Sequence, residues 1–285
     1  MRILILGAGV IGSVYAAKLL QAGHEVVLLA RGRRLTDLRT GGLVLQDAGS
    51  GERTVLPVRC VSEVGAGDRF DLVVVPVRAE QLLGTLPLLA AMTDGSDVLF
   101  FGNPADHRAA LVAGLGSRAL FGFPAAGGTR DGPVVRYVLI SQQKTMLGEP
   151  DGSPTVRVRR LQRVLSGAGF ATTISADIGG WLLGHAAFVV PIAFALYRMG
   201  GDATHLAADH AVLRLMARMR PASFTVSSRG TPAFSAPHRS SWSWMVMVIS
   251  SGSAACVPHP CTGRERGRAE KEISEILSSR PRGVR

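Results

Sequence analysis

The sequence predicts an α/β domain built on a parallel sheet, followed by a mainly α-helical domain. Three observations predict it. Arg2 to Leu6 is an apolar run ended by glycine, Val10 to Ala22 carries apolar residues at helical spacing, and Glu25 to Ala30 is a second β-like run. The first fifty residues therefore hold one β-α-β unit of the length a parallel crossover needs, and parallel strands imply a sheet covered on both faces. Further strands are expected at Asp71 to Val77, Asp97 to Phe101 and Ala119 to Phe123, with helices near Ala79 to Met92 and Asp106 to Leu115 between them, which is the alternation of an α/β sheet. Val134 to Ser141 and Lys144 to Gly148 are also strand-like. Glu149 to Pro154 reads as a polar turn and Val156 to Ser166 as a basic helix. From Ala176 to Arg220 the pattern is helical, punctuated by Gly200 and Gly201. The boundary falls near Gly169 to Ile178, giving a first domain of residues 1–172 and a second of 173–285, irregular from about 221.

Length and composition narrow the classes. At 285 residues with 47% apolar and 19% charged side chains, the chain is long enough for a real core and has a globular balance. No clean apolar run of about eighteen residues occurs. The longest candidate, Leu182 to Tyr197, is interrupted by His185 and is short, so no membrane span is expected. Met1 to Gly12 carries no export pattern, and a cytoplasmic address is the default. Cys60, Cys256 and Cys261 are too few and scattered for a disulfide framework or a four-ligand zinc site, so no metal is expected. The net charge of +11 is carried by arginine, since only Lys18, Lys144 and Lys271 are lysines. That balance favours anions, phosphate cofactors included. The arginines are dispersed and no recognition motif accompanies them, which argues against nucleic acid as a partner.

Pro221 to Arg285 differs from the rest, with thirteen serines and six prolines, and no acidic residue occurs from His210 to Arg264. Two readings stand: a poorly ordered tail with a short helix near Ala269 to Leu277, or a stretch translated in a shifted frame. Cys256, Cys261 and His259 resemble a ligand cluster only superficially.

The segment Gly7-Ala8-Gly9-Val10-Ile11-Gly12 follows the first strand and opens the first helix. Gly7 makes the tight turn, Gly9 lets a diphosphate approach the backbone, and Gly12 lets the helix pack close to its strand. The amides at Val10, Ile11 and Gly12 then face the phosphates with the positive end of the helix dipole. A Rossmann-type, dinucleotide-binding domain is expected. No acidic residue ends the second strand, where one would bind the ribose hydroxyls of NAD. Arg31, Arg33 and Arg34 stand there instead. Guanidinium groups suit a ribose 2′-phosphate, so the expected cofactor is NADP, with Arg31 the first choice as ligand.

With these residues in place, the chain from Met1 to roughly Arg220 resembles the ketopantoate reductase family, the 2-dehydropantoate 2-reductases of pantothenate biosynthesis. The likeness includes Asp71-Leu72-Val73-Val74-Val75-Pro76-Val77 followed by Arg78-Ala79-Glu80-Gln81, and Asn103 after the next strand. Thr129-Arg130-Asp131-Gly132, Leu147-Gly148-Glu149 and Asp151-Gly152 continue it. The resemblance implies reduction of a small 2-keto acid by hydride from NADPH, in a cleft between the α/β and helical domains. It also implies cofactor contacts at Arg78 and Asn103. The family's proton donor, a lysine in a Trp-x-Lys pattern, falls on Leu183 of Trp181-Leu182-Leu183-Gly184-His185. The family's late serine and glutamate find no matching motif beyond Pro221.

His185 is the candidate replacement acid, since its ordinary pKa suits proton transfer near neutrality, although a two-residue displacement turns it to another side of the helix. Arg78 could clamp a carboxylate but cannot act as an acid at neutral pH. Lys144 reads as a solvated charge, Asp177 as a helix cap, and Glu149 and Asp151 as turn residues. Two functional readings remain: an NADPH-dependent 2-keto acid reductase, or a catalytically silent NADP-binding paralogue or sensor. A homodimer is left open.

Overall fold

The computed structural model describes residues 1–218 apart from 66, 93, 94 and 142. The tail, with Cys256, His259, Cys261 and the expected helix near Ala269 to Leu277, lies outside the described residues, as does the frame-shift reading.

The chain begins β1 (Arg2–Leu6), α1 (Val10–Gln21), β2 (Glu25–Leu29) and α2 (Gly32–Gly41), then β3 (Leu43–Asp47), β4 (Arg53–Leu56) and β5 (Arg59–Val61). It continues with β6 (Leu72–Val75), α3 (Ala79–Leu82), α4 (Leu86–Ala91), β7 (Asp97–Phe101), α5 (Arg108–Leu115) and β8 (Ala119–Phe123). The hairpin β9 (Ala126–Asp131) and β10 (Val134–Leu139) leads to β11 (Thr145–Gly148), α6 (Val156–Gly167) and β12 (Thr172–Ile174). Three helices, α7 (Ile178–Arg198), α8 (Ala203–Ala208) and α9 (His210–Arg218), follow.

The main sheet has the order β12-β11-β8-β7-β6-β1-β2-β5. From β8 to β5 every neighbouring pair is parallel, and β11 joins antiparallel to β8 with β12 alongside it. The Rossmann-type expectation holds. Alternate residues of β1 serve the two faces: Ile3 and Ile5 join one core with Val14 and Tyr15 of α1, while Leu4 and Leu6 join the other with Leu89 and Leu111 of α4 and α5. That is the two-residue period of a strand buried on both sides. β12 takes residues 172–174 into the sheet, so the sheet reaches two residues past the expected boundary at 172.

Three features depart from the expectation. A second, four-stranded sheet, β4-β3-β10-β9, packs on α1; of its strands only β10 was expected, within Val134 to Ser141. The helix expected over Ala79 to Met92 is broken into α3, a 3-10 turn at Leu83–Thr85, and α4. Pro87 lies in the first turn of α4, and its missing N–H and ring exclude a continuous ladder across that point. Lastly, α7 runs 21 residues, through His185 and Pro191, and is long and apolar enough by composition to cross a membrane. It is therefore longer than the interrupted span read from sequence. Its first turns pack Ile178 and Leu182 into the core beneath the sheet, and Ala195 meets Leu206 and Val212 of α8 and α9.

Candidate functional site

In the main sheet β1 lies between β2, reached through α1, and β6 on its other side, so chain direction switches there. Crevices outside the carboxyl ends of strands at such a switch are where doubly wound sheets bind ligands. The glycine loop fills this position. Gly7, at φ +121°, makes the turn and sends its N–H to the Ile5 and Leu29 carbonyls at 3.1 Å each. A Cβ on Gly12 would meet the Gly7 carbonyl oxygen at 2.0 Å, so only glycine lets α1 come this close. A Cβ on Gly9 would meet nothing within 4 Å. The space in front of Gly9 is open.

α1 starts at Val10 with no side chain capping it, and the Ser13 N–H is the donor to the Gly9 carbonyl. The amides of Val10, Ile11 and Gly12 therefore have no intrahelical acceptor, and the helix dipole adds positive potential at the same point. Donors without acceptors, an open approach at Gly9 and no acidic residue in the first turn fit a diphosphate.

The arginines of the β2 end separate. Arg31 occupies the N-cap position of α2, and Arg31 and Arg33 are exposed. Arg34, one of the sequence candidates for a 2′-phosphate, is only 7% exposed and turns inward. Its Nε donates to the Ala8 carbonyl at 3.1 Å, Nη2 to Ser13 Oγ at 3.1 Å and Nη1 to the Pro133 carbonyl at 2.9 Å. Sequence reasoning missed this role, and it missed Ser13. The signal was present in the spacing: Arg34 and Leu38 are four apart and both buried on one face of α2.

At the ends of β6 and β7 a shallow depression is lined by Val75, Val77, Leu82, Phe100, Gly102 and Asn103. Arg78, next in the chain after Val77, stands at the N-cap of α3, 81% exposed and loosely paired with Glu80 at 4.0 Å. Gln81 closes that turn: its Oε1 accepts from the Arg78 N–H, and its own N–H donates to the Arg78 carbonyl. Asn103 Nδ2 donates to the Leu182 carbonyl at 3.1 Å, tying the end of β7 to α7. Leu183, at the position where the resemblance expects lysine, is 73% exposed.

His185 packs against two aromatic rings, 4.1 Å from Phe123 and 5.1 Å from Trp181 between centroids, and these two are themselves 5.6 Å apart. Burial there pulls its pKa from 6.5 down to about 4. It is neutral at pH 7, which argues against the proton donor that sequence reasoning sought in it. Because the folded pKa is depressed, the unfolded chain takes up a proton between pH 6.5 and 4 that the folded chain refuses. Stability is therefore expected to fall as pH drops through this window. His185→Gln should remove that part of the decline, measured as urea midpoints at about pH 5 and about pH 7.5; an identical decline in the variant would contradict the burial.

Glu149, read from sequence as a turn residue, is only 3% exposed. Arg157 of α6 clamps it with both Nε and Nη2 and reaches Asp97 Oδ1 at 3.1 Å, while Arg160 holds Asp97 Oδ2 at 2.8 Å. Asp97 begins β7, so this cluster braces the sheet at the end opposite the glycine loop. Asp177 caps α7 as expected, accepting from the Gly180 N–H at 2.7 Å. Lys144 is exposed. Among the described residues no group of acidic, histidine and cysteine side chains could hold a metal ion.

Comparison with known proteins agrees with this geometry. A family model described as ketopantoate reductase PanE/ApbA matches residues 3–152. The 2-dehydropantoate 2-reductase of Mesorhizobium japonicum is 30% identical over 203 residues, 62% of this chain and 61% of the relative. That of Pyrococcus abyssi is 25% identical over 184 residues, 64% and 59% of the two chains. The chain thus spans about three fifths of the length of these curated relatives. Among solved structures, 2-dehydropantoate 2-reductase from Geobacter metallireducens superposes with a TM-score of 0.74 at 20% identity, covering 94% of this chain and 88% of that one. A D-mandelate dehydrogenase with NADH and anilino(oxo)acetate superposes at 0.66 and 20% identity, over 76% and 70%. At such identities the structures share the fold.

Proposed function

The chain belongs to the ketopantoate reductase family, and on that footing we propose that it transfers hydride from NADPH to the carbonyl carbon of a small 2-keto acid. The observation that carries this reading is the uncapped start of α1 behind Gly9. The reduced nicotinamide supplies the hydride when the coenzyme is bound. The amides of Val10, Ile11 and Gly12 would hold the diphosphate, and exposed Arg31, with Arg33 nearby, would take the 2′-phosphate. Arg78, exposed at the N-cap of α3 after the lining residue Val77, offers a guanidinium to a carboxylate, and Asn103 ties α7 to the end of β7.

Two observations favour the second reading, a catalytically silent NADP-binding protein. Leu183 stands where the family's proton donor would be, and His185 is neutral. Following NADPH absorbance with a panel of 2-keto acids, ketopantoate included, separates the two. Turnover supports the reductase, whereas saturable coenzyme binding without turnover of any acid supports the silent protein. The coenzyme choice has its own test. Arg31→Glu should weaken NADPH about 50-fold, through loss of a charge-assisted contact and added repulsion, while changing NADH less than about 3-fold. Equal losses, measured by calorimetric titration, would count against the 2′-phosphate.

A further inference from the structure

We propose that Arg34 is the positioning residue that sets the glycine loop for its diphosphate, linking that loop to the β9–β10 turn of the second sheet. The functional half of this proposal rests on the dinucleotide reading above, and its structural half does not.

Three of the guanidinium's nitrogens each meet a different part of the chain. Nε holds the Ala8 carbonyl, Nη2 holds Ser13 Oγ in the first turn of α1, and Nη1 holds the Pro133 carbonyl. Ser13 Oγ also donates to the Ala8 carbonyl at 3.3 Å, so that oxygen accepts from two sides. The peptide joining Ala8 to Gly9 is planar and trans, so its N–H points opposite to its C=O. Holding the Ala8 carbonyl toward Arg34 therefore aims the Gly9 N–H the other way. The planar fork of arginine is what makes three separate attachments feasible, which a lysine cannot reproduce.

The charge is placed to matter as well. All three acceptors are neutral. Burial first, and then the charge of Arg130, pull the Arg34 pKa below the ordinary guanidinium value, with Asp37 acting in the opposite direction. Arg34 thus adds positive potential beside the start of α1 without spending it on a carboxylate at hydrogen-bond distance. An arriving diphosphate would relieve that excess while meeting an amide frame already in position.

The test compares Arg34→Met with the unaltered full chain. In coenzyme-free protein, amide exchange should accelerate at least about tenfold at Ser13, whose N–H donates to the Gly9 carbonyl, and at Gly7, whose N–H ties the loop to the Ile5 and Leu29 carbonyls. Calorimetric titration should show NADPH and NADH weakened alike, by about 20-fold, with their ratio held within about 3-fold. Arg34→Lys should recover part of the affinity. A selective loss of NADPH would overturn the proposal by making Arg34 a ligand of the 2′-phosphate. Unchanged exchange with unchanged affinity would overturn it by leaving the loop independent of Arg34. Should Arg34→Met fail to fold, Ser13→Ala, which removes one of the three attachments, decides: faster exchange in the same amides supports the lock, and wild-type exchange overturns it. If the unaltered protein binds neither coenzyme, the dinucleotide reading falls, while the exchange measurement still decides whether Arg34 holds the loop.

Discussion

Gly9→Val is expected to leave the fold intact and to cut NADPH affinity at least about 100-fold, a loss of about 2.7 kcal/mol. Gly9 has φ −72° and ψ −167°, extended backbone open to any residue. An added Cβ would meet nothing within 4 Å beyond its own chain neighbours, so the cost to stability should stay near that of losing a favourable cap residue, about 1 kcal/mol or less. The branched side chain would instead fill the space through which a diphosphate reaches the amides of Val10 and Ile11. Gly12→Ala, three residues away, should do the reverse. Its Cβ would lie 2.0 Å from the Gly7 carbonyl oxygen, a backbone atom that cannot step aside. Overpacking of this kind costs about 3 kcal/mol or more, a fall of roughly 6–12 °C in Tm for a chain of this size. Thermal melts and coenzyme titrations of both variants check the pair. Gly9→Val binding NADPH as the unaltered protein does would remove the functional reading altogether.

Arg157→Met should cost about 3–5 kcal/mol by urea unfolding and leave NADPH affinity unchanged. Glu149 is 3% exposed, and both of its carboxylate oxygens accept from Arg157. Removing the guanidinium leaves a buried carboxylate with Thr155 Oγ1 as its remaining side-chain donor among the described residues. Asp97 keeps Arg160 at 2.8 Å and is less affected. The pair Arg157→Met with Glu149→Met should be milder than Arg157→Met alone, because no charge is then stranded. Additive losses would show that packing, not the ion pair, holds α6 to the start of β7. Unchanged coenzyme binding is expected because this cluster lies at the opposite end of the strands from the glycine loop.

The β-α-β opening was legible because everything that specifies it lies within thirty residues: an apolar strand, a glycine turn, an apolar helix and a second strand. Of the second sheet only β10 was. β9 reads Ala-Gly-Gly-Thr-Arg-Asp, and its partner β10 also pairs parallel with β3, some ninety positions earlier. Short strands stabilised by distant neighbours leave little local periodicity. The broken helix between β6 and β7 was legible in principle from Pro87. Glu149 looked like a turn residue because the arginine that buries it comes from the following helix.

Within the candidate site the same division holds. The amino-acid order alone determined the glycine loop and the lack of an acidic residue after β2, since each is a statement about neighbours along the chain. Tertiary structure alone decided which arginine looks inward, that His185 is held neutral by burial against Phe123 and Trp181, and that Asn103 grips α7. The physical reason is that a side chain's charge state and free valences depend on what desolvates it and what accepts its protons. For Arg34 one of those acceptors is Pro133, 99 residues away.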